Sequence, residues 1–399
     1  MTLSPSPVDA PPAAADILAR ARALAPHLRE RAAEIENARR LPDDIVDMLR
    51  GTGVYRMGFN RDWGGPELSS TEQVEVIEAL AYGDASAAWC AEIGSHTGLF
   101  ATYLDRSVAR EMFTDLDTIT TGALFPVGRA DRVPGGYRLS GRWTFGSGIT
   151  HCDWVISGAF IYRDGEPEPS PDGDPHDSRL FMVPASDVTV IDQWHTTGML
   201  GTGSCDYTIT DVFVPEERSL SFDTVRDPSG PHTQPEAFMR YMPGIPLGVA
   251  RAALDHVREL VTGRERGGVR WADNTKVQVT IAECEADLAA TRHGVFGALR
   301  RLSEVLEAGG TLDDLTRDER AALPLSRLHS FRVARSIVNR LYDLVQTAAI
   351  HRSSPLDRWL RDTTTMCQHV FAQDRILQSA GAHLLGGTPE FRLCLGLVK

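Results

Sequence analysis

The sequence predicts a mainly α-helical protein with a β domain in its middle: helices, then a barrel or sandwich of strands, then a helical bundle. Three observations predict this order. Apolar residues recur every three or four positions up to about residue 117, the spacing of one helix face. Between 118 and 225 come short β-branched and aromatic runs punctuated by Pro and Gly. From 235 to 399 two long apolar stripes return at helical spacing, the mark of a helical bundle. Residues 1–15, rich in Pro, Ala and Ser, read as a flexible lead-in.

Each element has its own signal. Ile17, Ala21, Leu24, Leu28 and Ile35 lie on one helical face. Pro42 suits a helix start, and Gly51 or Gly53 its end. Ser69 followed by Glu72 is a capping-box pattern ahead of Val74, Ile77 and Leu80. A helical stretch of small residues spans about Ala85 to Tyr103. Strands are expected at Tyr137–Trp143, Trp154–Phe160, Arg179–Val183 and Tyr207–Val214. The acidic, Pro-rich stretch Asp164–Ser178 reads as an exposed loop. Val277, Ile281, Cys284, Leu288, Val295, Leu299 and Leu302 trace one long helix. Leu328, Phe331, Ile337, Leu341, Leu344 and Ala348 trace another.

Composition excludes several classes. The 399 residues carry a formal net charge of −13, against the basic balance of a nucleic-acid binder. No apolar run reaches the roughly 18 residues of a membrane helix, and the N-terminus lacks the basic and apolar regions of a signal peptide. The 6 cysteines are scattered without a CxxC, as expected of free thiols in a reducing cytoplasm. His151, Cys152 and Asp153 are adjacent on an expected strand and point to alternate faces, so they cannot jointly hold a metal. Gly201-Thr202-Gly203 precedes a strand rather than a helix, which excludes a dinucleotide-binding turn.

The chain resembles the acyl-CoA dehydrogenase superfamily over nearly its whole length. The resemblance is carried by Trp63-Gly64-Gly65, Ser140-Gly141-Arg142-Trp143, Gly198 through Ser204, Asp211 through Pro215, and Pro246 through Arg251, in that order. Within the superfamily it more closely resembles the reduced-flavin (two-component, group D) monooxygenases. That branch includes the 4-hydroxyphenylacetate hydroxylase oxygenase component, steroid-ring phenol hydroxylases and dibenzothiophene monooxygenase. The residues behind this are Trp143 through Trp154 and Ser354 through Asp362, continuing to Gln368-His369. A dehydrogenase of this fold needs a carboxylate to remove a proton beside the thioester carbonyl. The matching C-terminal position reads Met366-Cys367-Gln368-His369, and the alternative position falls near Phe238, with Glu236 two residues away. Neither is an acid, so thioester dehydrogenation lacks a base.

The resemblance implies a C-terminal four-helix bundle and the following site. Ser147, with Gly148 opening the backbone, sits beside the flavin N-5. Trp143 and Phe145 line the cofactor. His369 and His96 face the flavin and the substrate, where a histidine near its pKa can move a proton. Arg264 or Arg266, with Gln278, binds flavin phosphate across a subunit boundary. Arg361 pairs with Asp362 to fix the last helices near the flavin. An ordinary turn serine, buried structural histidines and a solvated charge run fit the same residues.

The function so implied is a flavin-dependent monooxygenase. A separate reductase supplies reduced flavin (FMNH2 or FADH2), which with O2 forms a 4a-hydroperoxide and hydroxylates a small aromatic, phenolic substrate. A homotetramer in the cytoplasm is expected, without metal, nucleic acid or membrane. Three rivals stand beside it: an amine N-hydroxylase on the same scaffold, an FAD-containing acyl-CoA dehydrogenase or oxidase, and a non-catalytic binding subunit.

Overall fold

The computed structural model describes residues 12–170, 175–230 and 232–397. The first eleven residues of the expected flexible lead-in, and 171–174 of the acidic stretch, lie outside the described residues.

Six helices come first: α1 (Ala14–Ala38), α2 (Asp43–Thr52), α3 (Ser70–Gly83), α4 (Ala85–Gly94), α5 (Thr97–Ala101) and α6 (Arg106–Met112). The apolar stripe of α1 buries Ile17, Ala21, Leu28 and Ile35. Pro42 precedes α2, and Gly53 ends it in the left-handed conformation. Ser69 caps α3: its hydroxyl accepts from the Glu72 amide, and Glu72 accepts from the Ser69 amide at 2.8 Å. Such a cap contributes about 1 kcal/mol. The small-residue stretch is two helices rather than one, because the chain breaks at Ser95–His96. Gly98 then packs so close to Gly58 that a Cβ would stand 2.6 Å from its carbonyl carbon.

Eight strands follow: β1 (Thr120–Val133), β2 (Gly136–Gly146), β3 (Trp154–Arg163), β4 (Glu166–Pro167), β5 (Ser178–Pro184), β6 (Thr189–Ile191), β7 (Cys205–Pro215) and β8 (Ser219–Leu220). They form one hydrogen-bonded sheet in the order β6-β7-β2-β1-β3-β5-β8, with β4 paired to β3. The β1–β3 pair is parallel. The longest strand, β1, was not among the four expected. Its pairing with β3 shifts between Ala123 and Gly128, around Pro126, and this irregularity erases the alternation that would mark a strand. The strands bury a core of their own, with Trp143, Tyr207, Phe181 and Tyr137 at its centre.

The last part holds α7 (Gly244–Thr262), a short hairpin of β9 (Glu265–Arg266) and β10 (Val269–Arg270), then α8 (Thr275–Glu307), α9 (Arg317–Val345), α10 (Pro355–Met366) and α11 (Asp374–Leu385). α9 packs on α7, α8, α10 and α11, while α3 packs on α7 and α1, so both helical parts share one continuous apolar core. Burying each large aliphatic side chain of these stripes contributes about 1.5–3 kcal/mol. Among the described residues no helix is long and apolar enough to cross a membrane, and all six cysteines are unbridged.

Candidate active site

A cavity of about 1050 Å³ opens where the three parts meet. One wall is a single face of α4 and α5, bearing Trp89, Glu92, His96 and Phe100. Opposite lie the start of β1, the end of β2 with Phe145 and Ser147, and the turn Met199–Ser204. Phe238 and the connection after α10, with His369 and Phe371, complete it. The size suits a flat ring cofactor with a small ligand, and the lining is mainly apolar with few polar groups.

Ser147 is buried and tied into a chain of hydroxyls. The Met199 carbonyl can only accept, so the Thr202 hydroxyl donates to it at 2.7 Å. Ser204 therefore donates to Thr202 at 2.7 Å, and Ser147 donates to Ser204 at 2.7 Å. The Trp89 indole N–H donates to Ser147 Oγ at 3.1 Å. A hydroxyl has one proton and two lone pairs. Ser147 thus meets the cavity with one remaining lone pair and no proton to offer. Gly148 stands behind it at φ +74°, a left-handed position natural to glycine, and its amide donates to the Thr202 carbonyl at 3.0 Å.

His369 sits just beyond α10. Its ring meets Trp89 edge-on at 5.0 Å and Phe371 at 5.1 Å, and its enclosed Nδ1 has no hydrogen-bond partner. Burial, and then the nearby Arg327 cation, pushes its pKa down to about 4. The ring is therefore neutral at pH 7 rather than poised near its pKa as the resemblance implied, and any proton it takes up is held only transiently. Trp89 joins the two expected groups, bonding one and packing on the other. His96, at the α4–α5 junction, is buried among Phe100, Phe238 and Tyr241, with Nε2 3.1 Å from the Phe238 carbonyl.

Several expectations are corrected. Trp143 does not reach the cavity: it lies inside the sheet, stacked on Tyr207 at 5.5 Å and donating to the Gly158 carbonyl at 2.8 Å. Phe145 does line the cavity, because its φ of +62° turns the chain and ends the alternation begun at Trp143. Gly148 acts through the turn and not as a wall. Arg361 does not pair with Asp362. It bonds Glu36, Asp357 and the Thr197 carbonyl, whereas Asp362 accepts from the Met199 amide at 2.6 Å. Burial pushes the Asp362 carboxyl up to about 7. Arg264 and the backbone of Arg266 lie on or beside the β9–β10 hairpin, away from this chain's cavity; the Arg266 side chain lies outside the described residues. Gln278 turns back to the Ala272 carbonyl at 3.1 Å. His151 and Cys152 lie in a turn before β3 rather than on a strand. Among the described residues no cluster of His, Cys, Asp or Glu is disposed to hold a metal.

The cavity also contains an acid that the sequence reading did not find. Glu92 is fully buried and lines it beside His96. Glu236 does not: it pairs with Arg240 on the other side of the Phe238 segment. Glu92 was visible in the spacing Trp89, Glu92, His96, which places all three on one helical face. Glu92 lies on α4, far in sequence from the two C-terminal positions where the resembled dehydrogenases carry their base.

Residues 14–111 match the family described as Acyl-CoA dehydrogenase, N-terminal domain, and residues 243–374 match Acyl-CoA dehydrogenase, C-terminal domain. The indole-3-acetate monooxygenase of Pseudomonas putida is 32% identical over 90% of this chain and 91% of its own. The FADH(2)-dependent resorcinol hydroxylase, oxygenase component, of a Rhizobium species is 30% identical over 98% of both. The solved structure of XiaF from a Streptomyces species, in complex with FADH2 and glycerol, superposes with a TM-score of 0.85 at 26% identity, over 95% of this chain and 97% of that one. The chain belongs to the acyl-CoA dehydrogenase family. Its homologues are oxygenase components of flavin-dependent monooxygenases, and it is an oxidoreductase of that two-component class.

Proposed function

We propose that this chain takes reduced flavin from a separate reductase and uses O2 to hydroxylate a small aromatic substrate bearing a ring hydroxyl or N–H. Reduced flavin with O2 supplies the oxygen-transferring chemistry; the chain supplies position, dryness and proton handling. The observation that carries this reading is the acceptor-only Ser147 beside the neutral, unpartnered His369 on one cavity. A reduced flavin carries a ring N–H that such an acceptor satisfies. An oxidised flavin has only a lone pair at that nitrogen and gains nothing from Ser147. The residues present therefore fit the reduced cofactor.

In this reading Ser147 orients the flavin ring, Phe145 borders it, Trp89 excludes water, and His369 holds or releases a proton near the reacting edge. His96 contacts the substrate. Arg264 or Arg266 with Gln278 reaches the cofactor phosphates from a partner copy in a homotetramer; neither Arg264 nor Gln278 lines the cavity of its own chain.

Glu92 favours a second reading, thioester dehydrogenation with this acid as base. The two separate cleanly. The oxygenase reading expects a largely colourless purified protein that binds reduced flavin more tightly than oxidised flavin. The dehydrogenase reading expects a yellow protein with firmly held oxidised FAD that an acyl-CoA bleaches. Equilibrium titration with both flavin states, followed by acyl-CoA addition, decides between them.

A further inference from the structure

Glu92 is fully buried, yet neither carboxylate oxygen has a hydrogen-bond partner. Buried polar groups are as a rule satisfied, and a charged one left bare is costly. Burial pushes the Glu92 carboxyl above its ordinary range, and His96, then Arg327, pull it back. His96 Nε2 lies 3.4 Å from Oε1. That nitrogen is already committed to the Phe238 carbonyl at 3.1 Å, which can only accept. His96 therefore carries its hydrogen on Nε2 and presents Nδ1 as an acceptor when neutral. Behind them the buried Arg327 contributes positive potential without a direct bond to Glu92. The Tyr241 hydroxyl is engaged with Ser95 at 3.1 Å. Among the described residues only His96 Nε2, at 3.4 Å and already donating to the Phe238 carbonyl, approaches the Glu92 carboxyl, and Glu92 lines the cavity.

We infer that Glu92 is the substrate anchor, and that its free oxygens receive a hydrogen bond from an N–H or O–H carried on the substrate's aromatic ring. Phe100, Phe238 and Phe371 line the cavity near it with apolar rings, Phe100 and Phe238 packed on His96 and Phe371 on Phe238. A flat ring with one proton donor satisfies both features. Sharing that proton with a carboxylate also raises the ring's electron density, which favours attack on an electrophilic oxygen. This inference rests on the oxygenase reading for what then happens to the ring, but not for binding.

The test compares indole with benzofuran, which share a shape and differ by the ring N–H, by calorimetric titration of the full-length protein without flavin. The parent protein is expected to bind indole about three- to tenfold more tightly, the worth of one hydrogen bond. Glu92→Leu is expected to bring the two within about twofold of each other, and Glu92→Gln, which keeps an acceptor oxygen, to retain part of the preference. Equal binding in the parent, stronger binding of benzofuran, or binding of neither probe overturns the anchor. So does a preference that survives in a folded Glu92→Leu protein. Because flavin is absent, each of those outcomes leaves the oxygenase reading standing. If Glu92→Leu does not fold, the parent comparison alone decides.

Discussion

Ser204→Ala tests the hydroxyl chain without touching the group expected to meet the cofactor. In the parent, Ser204 takes the Ser147 proton at 2.7 Å and so turns Ser147 into an acceptor. Removing that oxygen frees the Ser147 proton to swing into the cavity. It can then donate to an oxidised flavin nitrogen, which the parent cannot do. One neutral hydrogen bond contributes about 0.5–1.5 kcal/mol net. For a two-electron couple about 1.4 kcal/mol corresponds to about 30 mV. The midpoint potential of the bound flavin is therefore expected to fall by about 10–30 mV. The preference for reduced over oxidised flavin should shrink by about two- to twelvefold. Equilibration against a reference dye during slow reduction measures the first, and titration with both flavin states the second. A potential that stays put or rises would refute the assigned direction of the chain.

Further outcomes follow from the same geometry. His369→Ala should bind reduced flavin as the parent does but form product about a hundredfold more slowly, the worth of a positioned proton carrier; unchanged product formation in coupled assays would remove it from the site. Both ring nitrogens of the partly buried His151 are enclosed and unpartnered, and their desolvation, then Arg50, pushes its pKa down from 6.5 to about 4. The unfolded chain binds the proton first as pH falls, so stability is lost between about pH 6.5 and 4. At pH 5 this amounts to about 2 kcal/mol, which His151→Leu should recover in urea unfolding relative to its own effect at pH 7. Arg361→Gln cuts α10 from Glu36 and from the Thr197 carbonyl, and should cost about 1–3 kcal/mol, between the exposed and buried limits for ion pairs. Thermal and urea unfolding report it.

The fold was legible because its signals are local. The stripes of α1, α8 and α9 and the cap at Ser69 follow from spacing alone. β1 was missed because Pro126 and the nearby register shift break its period. His96, Ser147, Phe145 and His369 all line one cavity, although they come from three separate parts of the chain. Trp143 was misplaced because spacing alone cannot reveal that Phe145 takes a positive φ and leaves its neighbour-but-one facing inward. Trp89, Ser204 and Thr202 were missed because a hydrogen-bond chain is set by contacts between α4, the end of β2 and the turn before β7. Glu92 lay in plain view as the acid among small residues. Its meaning depended on the cavity it faces, which only the packing of α4 against the sheet creates.

The central claim is that this cavity shelters an oxygen-transferring flavin. It is tested most directly by rapid mixing of the protein, loaded with reduced flavin, with oxygenated buffer. The account predicts a transient absorbance distinct from both reduced and oxidised flavin, persisting long enough for substrate to consume it and shortened in Ser147→Ala. Direct conversion to oxidised flavin with stoichiometric hydrogen peroxide, at the rate seen for flavin free in solution, would contradict it.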